Sequence, residues 1–283
     1  MLSNNELITV FIPTYNRLKF LKRAVDSVLS QSYQNFELII VDDCSQDKTV
    51  EYLKKLSSND KRIFFFQNIE NRGACASRNK AITEAKGKYI TGLDDDDEFT
   101  SDRLEFFIKN FKKNYSFICS SIITVDSKKL HFSSNRDLVF GEHDLIYDNV
   151  AGNQFFTYTK YLRNVGGFDE NLRSTQDLDV MVKLTRTYGA AKRFKNLTYK
   201  VYTDQGIPTI STSSKKIDGM KYFYKKHKPY MSKRQSLYWS LLIKRWEIKP
   251  KKDFLNTFLI LIVNLKKTFN IISNLFFIKS KKI

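Results

Sequence analysis

Short apolar runs alternate with helical segments over the first hundred residues of the chain. Four runs have the length and composition of buried strands, and they cover residues 7–12, 36–41, 62–66 and 88–93. Three predicted helices lie between them, at residues 17–30, 47–56 and 74–85. Strand and helix repeats at this spacing predict βαβ units. The sequence therefore indicates an α/β fold with a mostly parallel sheet flanked by helices.

Polar side chains cluster after three of the four predicted strands. The clusters are residues 14–16 (TYN), 42–43 (DD) and 94–97 (DDDD). In open parallel sheets, ligands bind beside the carboxyl ends of the strands, so these clusters predict a nucleotide or phosphate site. No G-x-G-x-x-G follows the first strand and no G-K-[ST] occurs anywhere. The common dinucleotide fold and the P-loop are therefore disfavoured.

The aspartate run, residues 94–97, is the most unusual of these clusters. Four adjacent carboxylates repel one another unless a cation neutralises them or water solvates them. The run therefore predicts a hard divalent ion with a phosphate ligand, and a solvated acidic loop is the alternative. An EF-hand is excluded, because Phe99 stands where that calcium loop requires glycine.

The second half of the chain is less regular. Residues 116–125 predict a strand, residues 126–149 loops and short strands, and residues 152–169 a turn-rich stretch. A helix is predicted from Asp177 to about residue 188, with Asp179 also in its first turn. Acidic residues there also complement the helix dipole, so the local pattern leaves the role of Asp177 open.

Positive charge is concentrated at the C-terminal end. From residue 205 onward there are eighteen Lys and Arg against three acidic residues, which is +15 of the chain's formal +18. This predicts a division into a domain of residues 1–204 and a basic helical region of residues 205–283. Residues 215–228 are rich in Lys and Tyr, and residues 233–246 predict a helix.

A helical apolar stripe follows in the last thirty residues, formed by Phe254, Phe258, Leu261, Leu265, Phe269, Ile272 and Phe276. Lys266 and Lys267 near its middle disfavour a membrane span, so an interfacial helix on an anionic membrane surface is favoured. A helix packed on the first domain is the alternative. Nucleic acid binding is a third interpretation of this basic region. Nucleic acid is not the expected partner, because the sequence contains no known nucleic-acid-binding module.

Cysteine usage and the N-terminus both indicate the cytoplasm. Cys44, Cys75 and Cys119 show neither paired nor metal-ligand spacing, which is typical of a reducing compartment. Residues 1–6 are polar and lead directly into a strand, so no signal peptide is predicted.

Several motifs in order resemble those of inverting family 2 glycosyltransferases of the bacterial surface-polysaccharide type, which have the GT-A fold. The motifs are residues 12–17 (IPTYNR), 30–33 (SQSY), 37–45 (ELIIVDDCS), 71–79 (NRGACASRN), 87–97 (GKYITGLDDDD), 166–170 (GGFDE) and 176–177 (QD). The resemblance spans about residues 7–202. It implies transfer of a hexose or N-acetylhexosamine from a UDP-sugar to a glycan hydroxyl with inversion.

The resemblance also implies roles for individual residues. Asp96 matches the ligand of Mn²⁺ or Mg²⁺ in a D-x-D motif that begins at Asp94, and Asp95 lies nearer the ribose or donor sugar. These roles are fixed only to within one residue, because the run is continuous. Asp43 matches the carboxylate that accepts a hydrogen bond from uracil. The remaining predicted donor-site residues are Pro13, Thr14, Tyr15, Asn16 and Arg78.

Asp177 matches the general base that deprotonates the acceptor hydroxyl. Gln176 precedes it where the family often has glutamate, and Cys44 replaces the common glycine of the Asp-Asp-Gly-Ser turn. A positive φ at Cys44 would be unfavourable for a residue with a Cβ.

The expectation is therefore a metal-dependent glycosyltransferase in lipopolysaccharide, O-antigen or capsule biosynthesis. It would lie peripherally on the inner face of the cell membrane and act on a lipid-linked glycan acceptor. The alternatives are a nucleotidyltransferase on a similar fold and a non-catalytic membrane- or RNA-binding protein with a degenerate transferase domain.

Overall fold

Three βα repeats and a fourth strand form the first half of the chain. The computed structural model describes residues 5–126, 130–132, 136–152, 154–203 and 215–247. The repeats are β1 (Ile8–Thr14), α1 (Leu18–Leu29), β2 (Phe36–Asp42), α2 (Thr49–Asn59), β3 (Ile63–Gln67), α3 (Ala74–Glu84) and β4 (Tyr89–Gly92). This confirms the predicted βαβ units, with element ends shifted by no more than three residues.

The rest of the sheet-forming region mixes short strands with helices. Its elements are β5 (Glu98–Phe99), α4 (Arg103–Asn110), β6 (Ile118–Val125), β7 (Leu130–Phe132), β8 (Leu138–Phe140), α5 (Glu142–Tyr147), β9 (Phe156–Tyr158), α6 (Thr159–Asn164), α7 (Gln176–Tyr188) and β10 (Ala191–Tyr202). The predicted strand at 116–125 and the helix at 177–188 are confirmed as β6 and α7.

Sequence reasoning missed α4, α5, α6, β9 and β10. The stretch predicted to be turn-rich contains β9 and α6, which are three and six residues long and too short to show a period. Strand β10 is twelve residues long, but its Lys and Arg residues interrupt the apolar pattern and its register against β6 shifts twice. Pairing with β5, β6 and β8 stabilises this strand, rather than its own composition.

The described residues form a mixed sheet with the strand order β3-β2-β1-β4-β9-β6-β10-β5. The strands β3, β2, β1 and β4 are parallel, and β9 joins β4 in the antiparallel direction. All seven residues of β2 are buried, as expected for a central parallel strand covered on both faces. The carboxyl ends of β1, β2 and β4 therefore meet at one edge.

One buried cation supports the second half of the sheet. The Arg103 side chain is fully buried, and its Nη1 donates to Ser120 Oγ at 3.1 Å and to Thr198 Oγ1 at 2.8 Å. The guanidinium carbon lies 4.6 Å from the Phe99 ring centroid and 4.4 Å from that of Phe107. Burial lowers the pKa of Arg103 to about 10. Aromatic faces and two hydroxyls thus surround this charge inside the sheet.

The described residues divide into two compact units. The first contains the described residues of Met1–Leu145, Asn149–Asn171 and Gln176–Ile207, and the second contains Ile146–Asp148, Leu172–Thr175 and the described residues after 208. The predicted boundary between residues 204 and 205 lies outside the described residues and stays a prediction.

Helices α8 (Lys215–His227) and α9 (Lys233–Glu247) dominate the second unit, with a 3₁₀ turn at Lys228–Tyr230 between them. Trp239 of α9 packs on Phe223 with ring centroids 4.7 Å apart, and its Nε1 donates to the Ile146 carbonyl at 2.8 Å. The helix predicted at 233–246 is confirmed.

The apolar stripe from Phe254 to Phe276 lies outside the described residues. In the part of the chain that is described, no helix has the length and apolarity to cross a membrane.

Removing the Arg103 side chain should destabilise the protein more than replacing it with an apolar chain of similar length. We expect Arg103→Ala to lower the free energy of unfolding by about 3 kcal/mol, because it leaves a cavity among Phe99, Phe107 and Tyr199. Arg103→Met should cost less, since it refills that space and Thr198 Oγ1 still donates to Ser120 Oγ at 2.8 Å. Urea unfolding of both variants measures the difference. Equal losses would contradict this account of the site.

Candidate active site

The aspartate run directly follows β4 at the edge where the parallel strands end, and it alternates between two environments. The side chain of Asp95 is 7% exposed and Asp97 is 3% exposed as a residue. The side chains of Asp94 and Asp96 are 23% and 25% exposed. The two more open carboxylates are thus those of the predicted D-x-D pair.

The buried members of the run are held by the sheet around them. Asp95 accepts a hydrogen bond from Thr14 Oγ1 at 2.8 Å. Asp97 accepts from the Tyr199 hydroxyl at 2.9 Å and from the Tyr202 backbone N–H at 3.1 Å. Strand β10, which sequence reasoning missed, therefore anchors the end of the run, and Asp97 has a structural role.

The open members of the run bind cationic and amide groups of this protein. Asp94 accepts from Arg78 Nη2 at 3.0 Å and from Gln154 Nε2 at 3.1 Å. Arg17 Nη1 lies 2.9 Å from Asp96 Oδ2 and 3.1 Å from Asp95 Oδ1. Arg17 belongs to the IPTYNR motif, but nothing in the sequence pattern predicted its contact with residues almost eighty positions away.

Burial and crowding raise the pKa values of Asp95 and Asp96. Burial raises the pKa of Asp95 to about 6, with Asp96 adding to the rise while Arg17 and Thr14 oppose it. Burial, followed by the charge of Asp94, also raises the pKa of Asp96. A cation at this edge favours the ionised forms and would lower all of these values.

Asp43 organises the loop that precedes α3. Its carboxylate accepts hydrogen bonds from Asn68 Nδ2 at 2.7 Å, the Arg72 N–H at 3.0 Å and the Gly73 N–H at 2.7 Å. Gly73 has a φ of +87°, which glycine adopts without strain. An ionised carboxylate has about four acceptor positions, so one remains for a ligand. The predicted contact of Asp43 with uracil stays a prediction.

The loops after β1 and β2 are joined by short polar contacts. The Asn16 N–H donates to Ser45 Oγ at 2.8 Å, and the Gln46 N–H donates to Asn16 Oδ1 at 2.6 Å. Asp42 accepts from the Ser45 N–H at 3.0 Å and so helps to hold the loop after β2 in place. Cys44 has a φ of +69°, the left-handed conformation that the replaced glycine would favour.

The remaining predicted donor-site residues lie on the same β1 segment. Pro13 is half-buried opposite Val41 of β2, Thr14 is buried, and Tyr15 is 43% exposed. An exposed aromatic ring beside the Asp43 loop is a surface on which a base could stack. The structure brings these residues to the edge that also carries the aspartate run.

Arg78 connects the aspartate run to the start of α7. The residue is 7% exposed, and its Nη1 donates to Gln176 Oε1 at 3.0 Å while its Nη2 donates to Asp94. Burial works to lower the pKa of Arg78, but the charges of Asp177 and Asp94 outweigh it and raise the pKa. Gln176, which replaces the glutamate common in the family, thus serves as a neutral acceptor for this guanidinium.

Asp177 lies half-buried in the first turn of α7, and one of its carboxylate oxygens accepts no hydrogen bond from the described residues. Its Oδ1 is buried and has no hydrogen-bond partner among the described residues. Burial raises the pKa of Asp177 to about 6, with Arg78 opposing the rise and Asp94 adding to it. A carboxylate with a free acceptor position and a pKa near neutrality has the properties of a general base.

The open pair Asp94 and Asp96 fits a divalent ion that a nucleotide brings with it. Carboxylate oxygens suit Mg²⁺ and Mn²⁺, and Mg²⁺ is typically bound through one or two protein carboxylates plus substrate phosphates. Asp96 already contacts one cation, the Arg17 guanidinium. Within the described ranges, no group of three or more His, Cys, Asp or Glu is arranged to hold a metal ion.

Comparisons with known proteins show the family of this chain. The model of the family described as "Glycosyl transferase family 2" matches residues 9–168. WcaA of Escherichia coli (strain K12), named as a colanic acid biosynthesis glycosyl transferase, is 34% identical over 272 residues, which are 92% of this chain and 95% of WcaA. TuaG of Bacillus subtilis (strain 168), named as a teichuronic acid biosynthesis glycosyltransferase, is 33% identical over 64% of this chain and 72% of TuaG.

A solved structure shows the same fold. TarS residues 1–349 of S. aureus, crystallised with UDP-GlcNAc, superpose with a TM-score of 0.64 over 83% of this chain and 70% of that chain, at 20% identity. The fold class predicted from sequence, an α/β sheet of GT-A type, is thereby confirmed. Because the family model matches more than half of the chain and WcaA aligns over nearly its whole length, this protein belongs to glycosyl transferase family 2 and is a glycosyltransferase.

Proposed function

We propose that this protein is a metal-dependent, inverting glycosyltransferase that moves a hexose or N-acetylhexosamine from a UDP-sugar to a hydroxyl of a cell-surface polysaccharide. The unpaired, buried Oδ1 of Asp177 carries this proposal. It provides a base whose neighbour Arg78 also contacts Asp94, at the start of the aspartate run. Base and donor site are thus joined through one guanidinium.

The acidic edge of the sheet supports the proposal that the donor is a nucleoside diphosphate sugar. A Mn²⁺ or Mg²⁺ ion between the carboxylates and the diphosphate would neutralise charge and stabilise the leaving group as a Lewis acid. Asp96, as the open carboxylate of the D-x-D pair, would hold the ion, and Asp95 would lie nearer the ribose. The remaining acceptor position of Asp43 suits a base N–H. Structures of TarS with UDP-GlcNAc and with UDP support uridine as the nucleotide.

Asp177 would act on the acceptor. With its pKa raised to about 6, most of this carboxyl group is ionised at neutral pH and is still basic enough to take a proton as the acceptor oxygen attacks. Inversion follows from a single displacement in which the hydroxyl attacks from the face opposite the leaving UDP. The positive charge of Arg78 favours the ionised form of Asp177, because it opposes the rise in pKa that burial causes.

The acceptor would be a growing glycan. A lipid-linked glycan would place the protein at the inner face of the cell membrane. The names of WcaA and TuaG, in colanic and teichuronic acid biosynthesis, support a surface polysaccharide. Residues 215–247, which are α8, α9 and the turn between them, contain ten Lys and Arg against two acidic residues. Tyr230 and Leu237 of this segment are exposed. Such a surface suits anionic lipid headgroups.

UDP should stabilise the protein only in the presence of a divalent ion. We expect the melting temperature to rise with UDP and Mn²⁺, and the rise to disappear with EDTA, because ligands that bind only the folded state stabilise it. UDP-sugars tested in the same assay would identify the donor. A rise with UDP that EDTA does not reduce would contradict metal dependence, and no rise with any nucleotide would contradict the donor site.

Replacing Asp177 by Asn should strongly reduce turnover while leaving donor binding intact. We expect kcat to fall by about 10²–10⁴-fold, because the amide cannot accept the proton. Asp96→Asn should instead lose the Mn²⁺-dependent stabilisation by UDP. Asp102→Asn, which makes the same change at an exposed position in front of α4, serves as the control. Full turnover in Asp177→Asn would show that another group is the base.

The rate should fall below about pH 6 with a slope of one. The pKa of Asp177 is raised to about 6, so lowering the pH through this value protonates the base and removes the active form. The pH profile of kcat/KM for the wild type and for the residual activity of Asp177→Asn measures this. The variant should lack the acid limb. A limb that persists in the variant would assign it to Asp95, whose pKa is also raised to about 6.

A further inference from the structure

Arg17 occupies the position in which a cation would meet the aspartate run. It precedes α1, and its Nη1 lies within hydrogen-bond distance of both Asp95 Oδ1 (3.1 Å) and Asp96 Oδ2 (2.9 Å). The Arg17 side chain is 28% exposed, so the contact is partly shielded from solvent. One nitrogen thus bridges two adjacent carboxylates, one of which is the proposed metal ligand.

The charges around Arg17 favour this pairing. Burial works to lower the pKa of Arg17, but Asp95 and Asp96 outweigh it and the pKa is raised. The bridge uses Nη1, and neither Nε nor Nη2 has a hydrogen-bond partner among the described residues. The guanidinium therefore keeps donors that could bind a second anion, and a planar fork of this kind matches phosphate oxygens.

A divalent ion and Arg17 would compete for the same carboxylate. An ion on Asp96 would place two further positive charges close to the guanidinium, which is unfavourable unless Arg17 moves or new negative charge arrives. A nucleoside diphosphate would supply that negative charge. Its oxygens would also complete the coordination of an ion that is bound by only one or two protein carboxylates.

We propose that Arg17 is the resident counter-ion of Asp95 and Asp96 in the free protein and that it couples metal entry to nucleotide binding. Its guanidinium leaves the carboxylates for the diphosphate when metal and nucleotide bind together. In the absence of nucleotide, Arg17 keeps the metal affinity low. This inference rests on the proposed metal-dependent donor site, and it assigns a binding role to a residue outside the D-x-D motif.

The test is the affinity of the full chain for Mn²⁺ alone, measured from the electron paramagnetic resonance signal of free aqueous Mn²⁺. We expect Arg17→Gln to bind Mn²⁺ about tenfold more tightly than the wild type, because the carboxylates lose their counter-ion. Arg17→Lys, which keeps the charge, should stay near the wild type. Lys19→Gln removes one charge from an exposed position two residues away and should not change the affinity.

The same titration with saturating UDP measures the coupling. In the wild type, UDP should increase the Mn²⁺ affinity by about tenfold or more, and in Arg17→Gln this increase should be much smaller. Binding linkage is reciprocal, so the effect of Mn²⁺ on UDP affinity must shrink by the same factor. Circular dichroism and melting temperature check the fold, and Arg17→Met, which keeps the aliphatic stem, replaces the glutamine variant if that variant does not fold.

The outcomes separate this inference from the proposed function. If the wild type takes up Mn²⁺ with UDP but Arg17→Gln and the wild type bind Mn²⁺ alone with equal affinity, Arg17 does not control metal entry and the inference is overturned while the donor site stands. If neither protein takes up Mn²⁺ even with UDP, the metal-dependent donor site fails, and the role of Arg17 fails with it.

Discussion

The concentration of negative charge at one edge of the sheet is the constraint on which the rest of the site depends. Four consecutive carboxylates follow β4, and repulsion among them must be offset before the chain can fold there. Two guanidinium groups do this from different elements: Arg17 pairs with Asp95 and Asp96, and Arg78 pairs with Asp94. Four carboxylates against two guanidinium groups leave this edge negatively charged, so it can attract a further cation. A site for a metal-bound nucleoside diphosphate needs this property.

The same contacts bring distant parts of the chain together. Thr14 from β1, Arg78 from α3 and Tyr199 from β10 each bind a member of the run. The hydroxyl that holds Asp97 belongs to a ring that also lies 5.0 Å from the buried Arg103 guanidinium. Core packing in the second half of the sheet therefore helps to position the acidic edge. A change in this packing would alter the proposed donor site without replacing any of its residues.

The carboxyl groups of Asp96, Asp97 and Asp177 differ in burial and in the groups around them. Asp97 is held by Tyr199 and Tyr202 within the sheet, Asp96 remains partly open to a cation, and Asp177 keeps an unused oxygen. Arg78 donates to Asp94 at the start of the run, and the charges of Asp94 and Asp177 both raise its pKa. One buried cation thus links the place where a leaving group would be stabilised to the place where an acceptor would be deprotonated.

The sequence by itself determined the βαβ half of the fold and the edge at which polar residues gather, because apolar periodicity is a local property and parallel strands end on one side. It also located the basic C-terminal region and the candidate residues, whose roles rest on family resemblance. Only the tertiary structure decided which aspartates are open, that Arg17 bridges two of them from 78 and 79 residues away, and that Gln176 accepts from Arg78 across 98 residues. It also decided the place of β10. The charged residues of this strand interrupt its apolar pattern, so its pairing with β6 is visible only in the structure. Local pattern reports what a segment can form, whereas the partner of a buried charge is chosen by packing between segments that are distant in the chain.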